Sequence, residues 1–216
     1  VQVSSGFYQW NTTLYDDTMQ GLWAIQSQTE PSVLSTSTVP FAIRNGSISF
    51  YVNDTTTNGD VYTTAIGLST NTGLSPDSPK ATVQEILDAY DLESGDTVFV
   101  DTGVYADSSP IVIGQLDGAY STNAPRVVFQ GSTNESFGGT VLDRSGGEYG
   151  FRLYRTMGIE LRDFRIHNAL TGVSLDQAYN TKLEWLILVS GNRSFAVQAS
   201  RNIYMAHCAQ KNAGLG

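Results

Sequence analysis

A run of charged and ionisable residues, Glu160, Arg162, Arg165 and His167, holds the side chains best suited to acid–base chemistry. A lyase acting on an acidic sugar needs a base to take the proton beside the carboxylate, and a cation to stabilise the enolate that forms. Arginine together with histidine can supply both functions. Arg165 and His167 are therefore the candidate catalytic residues of this sequence.

The same charges also have a structural interpretation, because the chain repeats every 22 residues in this region. In that register Glu160 stacks on Lys182 and Arg162 on Glu184, as ion pairs between neighbouring strands worth on the order of a few tenths of a kcal/mol each. The repeat places no second catalytic group in the columns of the candidate arginine and histidine. We favour the structural interpretation, and catalysis stays an open alternative.

Three ring-bearing side chains could instead contact a sugar. Trp185 and Tyr204 face outward in the repeat register, and Trp185 shares one turn column with His207 above Asp163. Exposed aromatic rings present an apolar face on which a sugar ring can stack. We therefore predict a glycan contact made by Trp185, Tyr204 and His207. The alternative is that these residues only cover a corner of the fold.

A calcium site is a further hypothesis. Asp54, Asp60 and Asn71 carry oxygen atoms of the kind that Ca²⁺ binds, but they lack EF-hand spacing and any regular ladder of aspartates. Such residues also form turns by bonding to their own backbone. Calcium therefore stays a possibility beside the turn interpretation, and no other metal is predicted.

Five Asn-x-Ser/Thr triplets are candidate N-glycosylation sites. They begin at Asn11, Asn45, Asn53, Asn134 and Asn192. Five is a mild excess over chance for a chain with 12 asparagines and 44 serines plus threonines. The excess hints at an extracellular protein.

Charge and composition exclude some partners. A net charge of −9 argues against nucleic acid or an anionic membrane, because phosphate contacts need a clustered basic face. No apolar run reaches the roughly 18 residues of a transmembrane helix, so no membrane span is predicted. Only 15% of residues are charged, and the chain contains 21 glycines. This balance favours many short strands and turns, and hence a mostly β fold.

Apolar residues recur in columns from Phe151 onward, spaced 22 residues apart. The columns are Phe151, Val173 and Phe195; Leu153, Leu175 and Val197; Leu161, Leu183 and Met205; and Phe164, Leu186 and Cys208. A turn column of Asn168, Ser190 and Asn212 accompanies them. Repeats of this length predict a solenoid whose stacked strands lie about 4.8 Å apart.

A short amphipathic helix precedes the repeat, over about residues 82–91. Thr82 can cap its N-terminus, with Glu85 three residues later completing a capping box. The apolar face consists of Val83, Ile86, Leu87 and Tyr90. So short a helix is marginal alone in water. We therefore expect it to cover the open end of the coil that follows.

A set of positions around this helix forms a recognisable opening. The positions are Gly73-Leu74-Ser75-Pro76, Pro79-Lys80, Thr82, Gln84, Ile86-Leu87, Gly95-Asp96-Thr97-Val98, Val100, Gly103 and Tyr105. This succession resembles the N-terminal cap and first strand of right-handed parallel β-helix proteins of the pectin-lyase-like class. The resemblance implies such a β-helix over residues 50–216. Members of that class include polysaccharide lyases, hydrolases, epimerases, adhesins and structural coils, so the activity stays open.

Residues 1–49 hold three alternating segments, at 7–10, 22–26 and 39–43. Their spacing is similar to the closing strands of an immunoglobulin-like or fibronectin-like sandwich. Such a sandwich takes about seven strands, so three cannot close a core. We predict a partial sandwich that another segment or chain completes. The alternative is that these strands pack on the flank of the coil.

The two ends decide the functional expectation. The chain stops at Gly216 directly after a rung that matches the repeat, and an uncapped rung exposes unpaired backbone groups. We therefore expect neighbouring subunits or flanking domains at both ends. The favoured function is an extracellular or cell-surface assembly module, in a large secreted β-helix protein or a filament. The alternatives are a polysaccharide-binding module, or the N-terminal part of an enzyme similar to polysaccharide lyases or glycosidases.

Overall fold

The computed structural model of the chain describes residues 10–14, 18–39, 41–189 and 191–211. These residues form two compact units that divide between Ser47 and Ile48. The predicted boundary between residues 49 and 50 falls inside a strand, Ser49–Val52, that belongs to the second unit.

The first unit is built from short antiparallel strand pairs. Its elements are a 3₁₀ turn at Thr12–Leu14 and the strands β1 Thr18–Gly21, β2 Ala24–Gln26, β3 Leu34–Thr36 and β4 Phe41–Ile43. Strand β1 pairs with β4, and β2 with β3. The predicted segments 22–26 and 39–43 therefore contain β2 and β4, whereas residues 7–9 lie outside the described part. Each described sheet here has two strands, short of a closed sandwich.

The second unit contains one α-helix and a long series of short strands. They are β5 Ser49–Val52, α1 Val83–Ala89, β6 Thr97–Val100, β7 Gly103–Ala106, β8 Ile111–Ile113, β9 Val127–Gly131, a 3₁₀ turn Glu135–Phe137, β10 Thr140–Asp143, β11 Tyr149–Tyr154, β12 Ile159–Arg162, β13 Phe164–His167, β14 Thr171–Asp176, β15 Lys182–Glu184, β16 Ile187–Val189, β17 Arg193–Gln198, β18 Tyr204–Ala206 and β19 Ala209–Lys211.

These strands form three parallel sheets, which the chain visits in turn. Sheet I has the order β5-β6-β9-β12-β15-β18, sheet II the order β7-β10-β13-β16-β19, and sheet III the order β8-β11-β14-β17. Every pairing within them is parallel. The second unit is therefore mostly β and solenoid-like, as the composition and the repeat predict.

The register of the last coils follows the predicted 22-residue spacing. Phe151 pairs with Val173 and Val173 with Phe195, while Leu161 pairs with Leu183. The side chains of Phe151, Val173, Leu161 and Leu183 are buried. Stacking these columns removes their apolar surface from water, which is the main stabilising contribution available to a repeat of this kind.

The earlier coils are longer than the repeat. Strands β10 and β13 pair Thr140 with Phe164, a spacing of 24 residues, and β9 and β12 pair Val127 with Ile159, a spacing of 32. The extra residues form turns at the corners, so the 22-residue register cannot be extended back along the chain. The longer spacing between β10 and β13 changes the neighbour of His167, one of the candidate catalytic residues.

Helix α1 begins where the capping box predicts. The Glu85 backbone N–H donates to the Thr82 hydroxyl at 3.2 Å, and the Glu85 carboxylate accepts from the Thr82 backbone N–H at 3.1 Å. The helix covers Val83–Ala89 with Thr82 as its N-cap, so the predicted span of 82–91 includes both cap residues. Two backbone donors at the helix start are satisfied in this way.

The buried face of α1 joins the interior of the first coil. Val83 and Ile86 are buried, and the ring of Tyr90, the C-cap, lies 5.1 Å from the ring of Phe50 on β5. The Gln84 side chain also accepts from the Val112 backbone N–H on β8. Within the described ranges, no helix has the length and apolar character needed to cross a bilayer.

The segment from residue 97 to residue 106 forms two strands, β6 and β7. The chain turns at Asp101 and Thr102, both buried, and β7 then begins in a different sheet from β6. Gly103 has a φ of 155°, and a Cβ atom there would lie 2.3 Å from the Asp54 carboxylate. Glycine is required at this position because the backbone passes too close to Asp54 for a side chain.

Candidate functional site

Sheet I presents an outward face made of two columns of side chains. From β5 to β18, one column is Ser49, Thr97, Val128, Glu160, Lys182 and Tyr204, and the other is Tyr51, Phe99, Gln130, Arg162, Glu184 and Ala206. The residues that alternate with them, such as Val98 and Leu161, are buried inside the coil. Strand alternation therefore places polar and aromatic groups together on the outside.

Three aromatic rings lie at the β5–β6 end of this face. The rings of Tyr51 and Phe99 stack across neighbouring strands, with centroids 5.7 Å apart and planes at 24°. Tyr62 reaches the same place from the loop after β5, and its ring lies 4.9 Å from that of Phe99. The three rings form one apolar surface.

Asp101 fixes the loop that carries Tyr62. Its carboxylate accepts hydrogen bonds from the backbone N–H groups of Val61, Tyr62 and Thr63 at 2.7–2.8 Å, and from the Thr63 hydroxyl at 2.8 Å. Asp101 is fully buried, and charge-assisted bonds of this kind are among the stronger ones in proteins. Three consecutive backbone donors held by one carboxylate leave Tyr62 little freedom to move.

The Tyr62 hydroxyl itself is hydrogen-bonded and protonated. It donates to the Gly131 carbonyl at 3.1 Å. Burial raises the pKa of this hydroxyl, and the negative charges of Asp163 and Asp101 raise it further. The group therefore remains a hydrogen-bond donor throughout the physiological pH range.

Gln130 orients the carboxylate at the next corner. Its side-chain amide donates to the Asp163 carboxylate at 2.8 Å and to the Gly131 carbonyl at 2.6 Å. Gln130 is buried, so these bonds form away from bulk water. Asp163 is thereby held at the edge of the face with a fixed orientation.

The charged residues of the face neutralise one another. Lys182 lies 3.4 Å from Glu160 and 2.7 Å from Glu184, and Arg162 lies 3.5 Å from Glu160. The predicted pair of Glu160 and Lys182 is confirmed. Arg162 and Glu184 are opposite each other as predicted, but the arginine lies against Glu160 on its own strand. The predicted ion pair between neighbouring strands therefore forms for Glu160 and Lys182, whereas Arg162 pairs with Glu160 and not with Glu184.

The corner between sheets I and II places unusual residues in a left-handed conformation. Asp163, Trp185 and His207 occupy the same turn in successive coils, with φ values of 62°, 53° and 54°. For a bulky side chain this conformation is uncommon and costs roughly 1–3 kcal/mol. The indole and imidazole rings stack with centroids 4.0 Å apart and planes at 5°. The predicted column of Trp185 and His207 above Asp163 is thus confirmed.

A groove of about 660 Å³ joins these parts. We call it the aromatic groove; its lining is Tyr62, Phe99, Gln130, Thr133, Arg162, Asp163, Glu184 and Trp185. Trp185 is 54% exposed at its edge. Apolar rings beside carboxylate and amide groups match the two surfaces of a sugar, whose ring has apolar faces and a polar rim of hydroxyls.

Tyr204 lies on the same face but outside the aromatic groove. It pairs in register with Lys182, one strand beyond the groove, and its side chain is 53% exposed. The structure therefore brings Trp185 and His207 together and leaves Tyr204 beside them. Sequence reasoning missed Tyr62, Phe99 and Gln130. The outward position of Phe99 was available from the alternation of β6, whereas the contacts of Tyr62 depend on Asp101, which lies about 40 residues away.

The candidate catalytic pair lies on sheet II, away from the groove lining. The Arg165 guanidinium forms an ion pair with Glu135. His167 lies opposite Asp143 on β10, a carboxylate that the expectation of no second catalytic group in its column did not include. The 24-residue spacing between these strands hides this neighbour from a 22-residue register. Burial lowers the pKa of His167, an effect that Asp143 opposes and Arg165 reinforces.

Asp143 is itself engaged by its surroundings. Its carboxylate accepts from the Asn168 side chain and the Ser145 backbone N–H, both at 2.9 Å. These two bonds, the Asn168 one first, lower the pKa of Asp143. A carboxylate held in this way stabilises the turn that contains it, which gives this cluster a structural explanation.

The residues proposed for calcium serve as turn and loop anchors. Asp54 accepts from the Thr56 backbone N–H at 2.7 Å, Asp60 accepts from the Asn53 amide at 2.7 Å, and the Asn71 amide donates to the Pro79 carbonyl at 2.9 Å. Among the described residues, no group of three or more His, Cys, Asp or Glu side chains could hold a metal ion. The turn interpretation accounts for these contacts.

The five candidate glycosylation sites differ in exposure. Asn53 is fully buried, and its amide nitrogen donates to three oxygen atoms at 2.7–3.1 Å, so the fold has no room for a glycan there. Asn134 is half-buried, and its amide donates to a backbone carbonyl at 2.7 Å. Asn11, Asn45 and Asn192 are exposed, and glycosylation at these positions stays a prediction.

Comparison of the chain with protein-family models, with curated proteins and with solved structures gave no match. A functional assignment therefore rests on the residues and geometry described above.

Proposed function

We propose that this chain is part of an extracellular or cell-surface protein whose second unit is a right-handed parallel β-helix, similar to the pectin-lyase-like class, with a polysaccharide-binding groove. The parallel sheets, the 22-residue register and the capping helix support the β-helix assignment. Parallel strands joined by crossovers are right-handed in about 98% of cases, which supports the handedness.

The observation that carries the proposal is the stack of Trp185 and His207. Both residues occupy a backbone conformation that asparagine or glycine would adopt at lower cost, and the indole is nevertheless more than half exposed. The left-handed conformation itself recurs at another corner, in Arg155, Gln177 and Ala199, so it is the exposed ring of Trp185 that points to a role at the surface. His207 covers one face of the indole, so a sugar ring would stack on the opposite face, beside the polar groove.

The ligand that fits the aromatic groove best is a neutral or weakly charged polysaccharide. The two carboxylates that line it are already engaged, Asp163 by Gln130 and Glu184 by Lys182. Such carboxylates can accept bonds from sugar hydroxyls with their remaining lone pairs. Binding therefore accounts for the groove without requiring catalysis.

Substitution of the exposed tryptophan tests this proposal. Trp185→Ala is expected to weaken binding of soluble neutral polysaccharides such as xylan, glucomannan or dextran by about tenfold or more, because the stacking surface is lost. Isothermal titration calorimetry on the whole chain measures the change. The ligand among the panel that binds the unmodified chain identifies the class of sugar.

Tyr120→Ala is the matched control, because Tyr120 is also an exposed aromatic residue and does not line the aromatic groove. The control is expected to bind as the unmodified chain does. Equal loss of affinity in both variants would contradict the proposal, and so would unchanged affinity in Trp185→Ala. Absence of binding to every polysaccharide in the panel would also overturn it.

A second candidate function is assembly with neighbouring subunits or flanking domains. The hairpin of β2 and β3 exposes large apolar side chains: Leu22, Trp23, Ile25, Val33 and Leu34. Ile25 lies opposite Ser35 and Leu34 opposite Gln26, so the exposed apolar side chains lie on both faces of the hairpin. Exposed apolar surface marks an interaction site in many proteins. We propose that this hairpin contributes to assembly, while the groove of the second unit binds glycan.

A further inference from the structure

Sheet III carries a second polar surface that the proposed function does not use. Its outward residues include Tyr149 and Arg152 on β11 and Arg193 on β17. The guanidinium of Arg152 lies 5.7 Å from the centre of the Tyr149 ring and 5.6 Å from that of Tyr154. The two tyrosine rings therefore hold this arginine in place by cation–π contacts.

A pocket of about 710 Å³ opens above Arg152. It exists because small residues follow the arginine in its column: Ser174 on β14 and Ala196 on β17 are its successive partners. In a second column across the same strands, Thr171 on β14 lies between Tyr149 on β11 and Arg193 on β17. Large side chains at the sides and small ones between them make the surface concave.

Among the described residues, the two arginines of this pocket form no ion pairs, although the carboxylates of Glu148 and Asp176 also belong to its lining. In the part of the chain that the structure describes, neither Arg152 nor Arg193 forms an ion pair with a carboxylate, and both are exposed. The pKa of Tyr149 is raised, chiefly by a hydrogen bond to Glu148, whereas Arg152 and Arg193 both act to lower it. Both guanidinium groups therefore lie within electrostatic range of the same hydroxyl.

The pocket also holds an unsatisfied acceptor. Asp176 lines it, and the Oδ1 atom of this residue is buried with no hydrogen-bond partner among the described residues. Because this atom is closed to solvent, it is not itself a ligand contact. The negative charge of the carboxylate would repel a ligand made only of anionic groups.

We propose that this pocket binds an anionic saccharide, one that carries a carboxylate or sulfate group together with free hydroxyls. The forked guanidinium groups of Arg152 and Arg193 bind the paired oxygens of the anionic group. Tyr149 stacks on the sugar ring, and the hydroxyls of Thr171 and Ser174 bond to its rim. The site is separate from the aromatic groove, which lies on sheet I.

Three forms of one polymer separate the contribution of its anionic groups from that of its sugar chain. Dextran sulfate, carboxymethyl dextran and unmodified dextran share the same sugar chain and differ in their anionic groups. The unmodified protein is expected to bind one or both charged forms at least about tenfold more tightly than dextran, with affinity that falls as salt rises. Calorimetry at two salt concentrations measures this.

The double variant Arg152→Gln/Arg193→Gln removes both guanidinium groups from exposed positions. The control, Arg201→Gln/Lys211→Gln, removes two exposed positive charges outside the pocket. Loss of at least about tenfold in affinity for the charged polymer in the first variant alone is the expected result. The first double variant is expected to bind neutral polysaccharides as the unmodified chain does, because neither arginine lines the aromatic groove.

Three outcomes would overturn the inference. One is failure of the unmodified chain to bind either charged polymer. Another is an equal effect of the two double variants, which would show that only the overall charge matters. The third is equally tight binding of a single-stranded oligonucleotide that the first double variant also abolishes, because the pocket would then recognise anions without regard to sugar hydroxyls.

Discussion

At the corner between sheets I and II, successive coils place Asp163, Trp185 and His207 in the left-handed conformation. The residue at this position in the coil below is Gly131, which is not in the left-handed conformation but has no room for a side chain, because a Cβ atom on it would lie 2.1 Å from the Asp163 carbonyl oxygen. Left-handed residues recur at another corner, at Arg155, Gln177 and Ala199, so the conformation is a regular feature of the coil. Trp185 is distinguished by its exposed ring, which stacks on His207 and borders the aromatic groove.

Ionisation of Asp60, in the loop that carries Tyr62, makes the stability of the fold depend on pH. Burial raises the pKa of Asp60, and the charges of Asp101 and Asp54 add to the effect, although bonds from Asn53 and Thr63 oppose it. A carboxyl group whose pKa is raised on folding binds its proton more tightly in the folded chain. The resulting stabilisation is complete below the ordinary pKa of 3.8 and is lost as the pH rises through the raised value.

Charged Asp60 therefore lowers the stability of the fold at neutral pH. Asp60→Asn is expected to raise the urea midpoint of unfolding at neutral pH, and the gain should shrink as the pH falls toward 3.8. The effect is expected to be small because solvent screens a partly exposed carboxylate. A gain that is the same at both pH values would contradict this account. The control is Glu30→Gln, an exposed carboxylate in the first unit.

At the scale of secondary-structure elements, the sequence predicted the features that depend on neighbouring residues or on the regular repeat. The capping box of Thr82 and Glu85 located the start of α1, because both bonds lie within four residues. The columns beginning at Phe151 and Leu161 predicted the register of the last coils, because parallel stacking repeats the same neighbours at each turn.

Features set by distant contacts could not be predicted in this way. The loop at 54–66 has the composition of a linker, yet Asp101 binds its backbone from about 40 residues away and places Tyr62 in the groove. The break between β6 and β7 depends on the same buried aspartate. The Asp143 neighbour of His167 follows from a corner insertion that changes the local spacing to 24 residues. Such contacts emerge only once the coil has closed.

The hairpin of β2 and β3 makes a prediction about association. Ile25→Thr/Leu34→Thr keeps residues that favour strands but removes exposed apolar surface. If the hairpin mediates assembly, sedimentation velocity should show oligomers of the unmodified chain and a shift toward the 23.4 kDa monomer in this variant.

The control for that experiment is Val104→Thr, an exposed apolar residue on β7 of the second unit. It should leave the distribution of oligomers unchanged. A monomeric unmodified chain over the whole concentration range would contradict assembly through the hairpin. Oligomers that persist in the double variant would contradict it equally.

At the scale of the whole molecule, the distribution of charge matters more than its sum. The chain carries a net charge of −9, but the pocket on sheet III has two arginines without ion pairs, and the charges on sheet I largely pair with each other. A coil with three sheets can present a different chemistry on each outer face, because inward residues alone maintain the core. One rigid support can then bind two kinds of saccharide.

Fluorescence of Trp185 tests the central claim most directly. The chain has three tryptophans, so the variant Trp10→Phe/Trp23→Phe reports from Trp185 alone. We expect a soluble neutral polysaccharide to shift and quench this emission in a saturable way, because a sugar ring that stacks on the indole replaces water. Emission that stays unchanged across the panel of polysaccharides would show that the aromatic groove does not bind glycan.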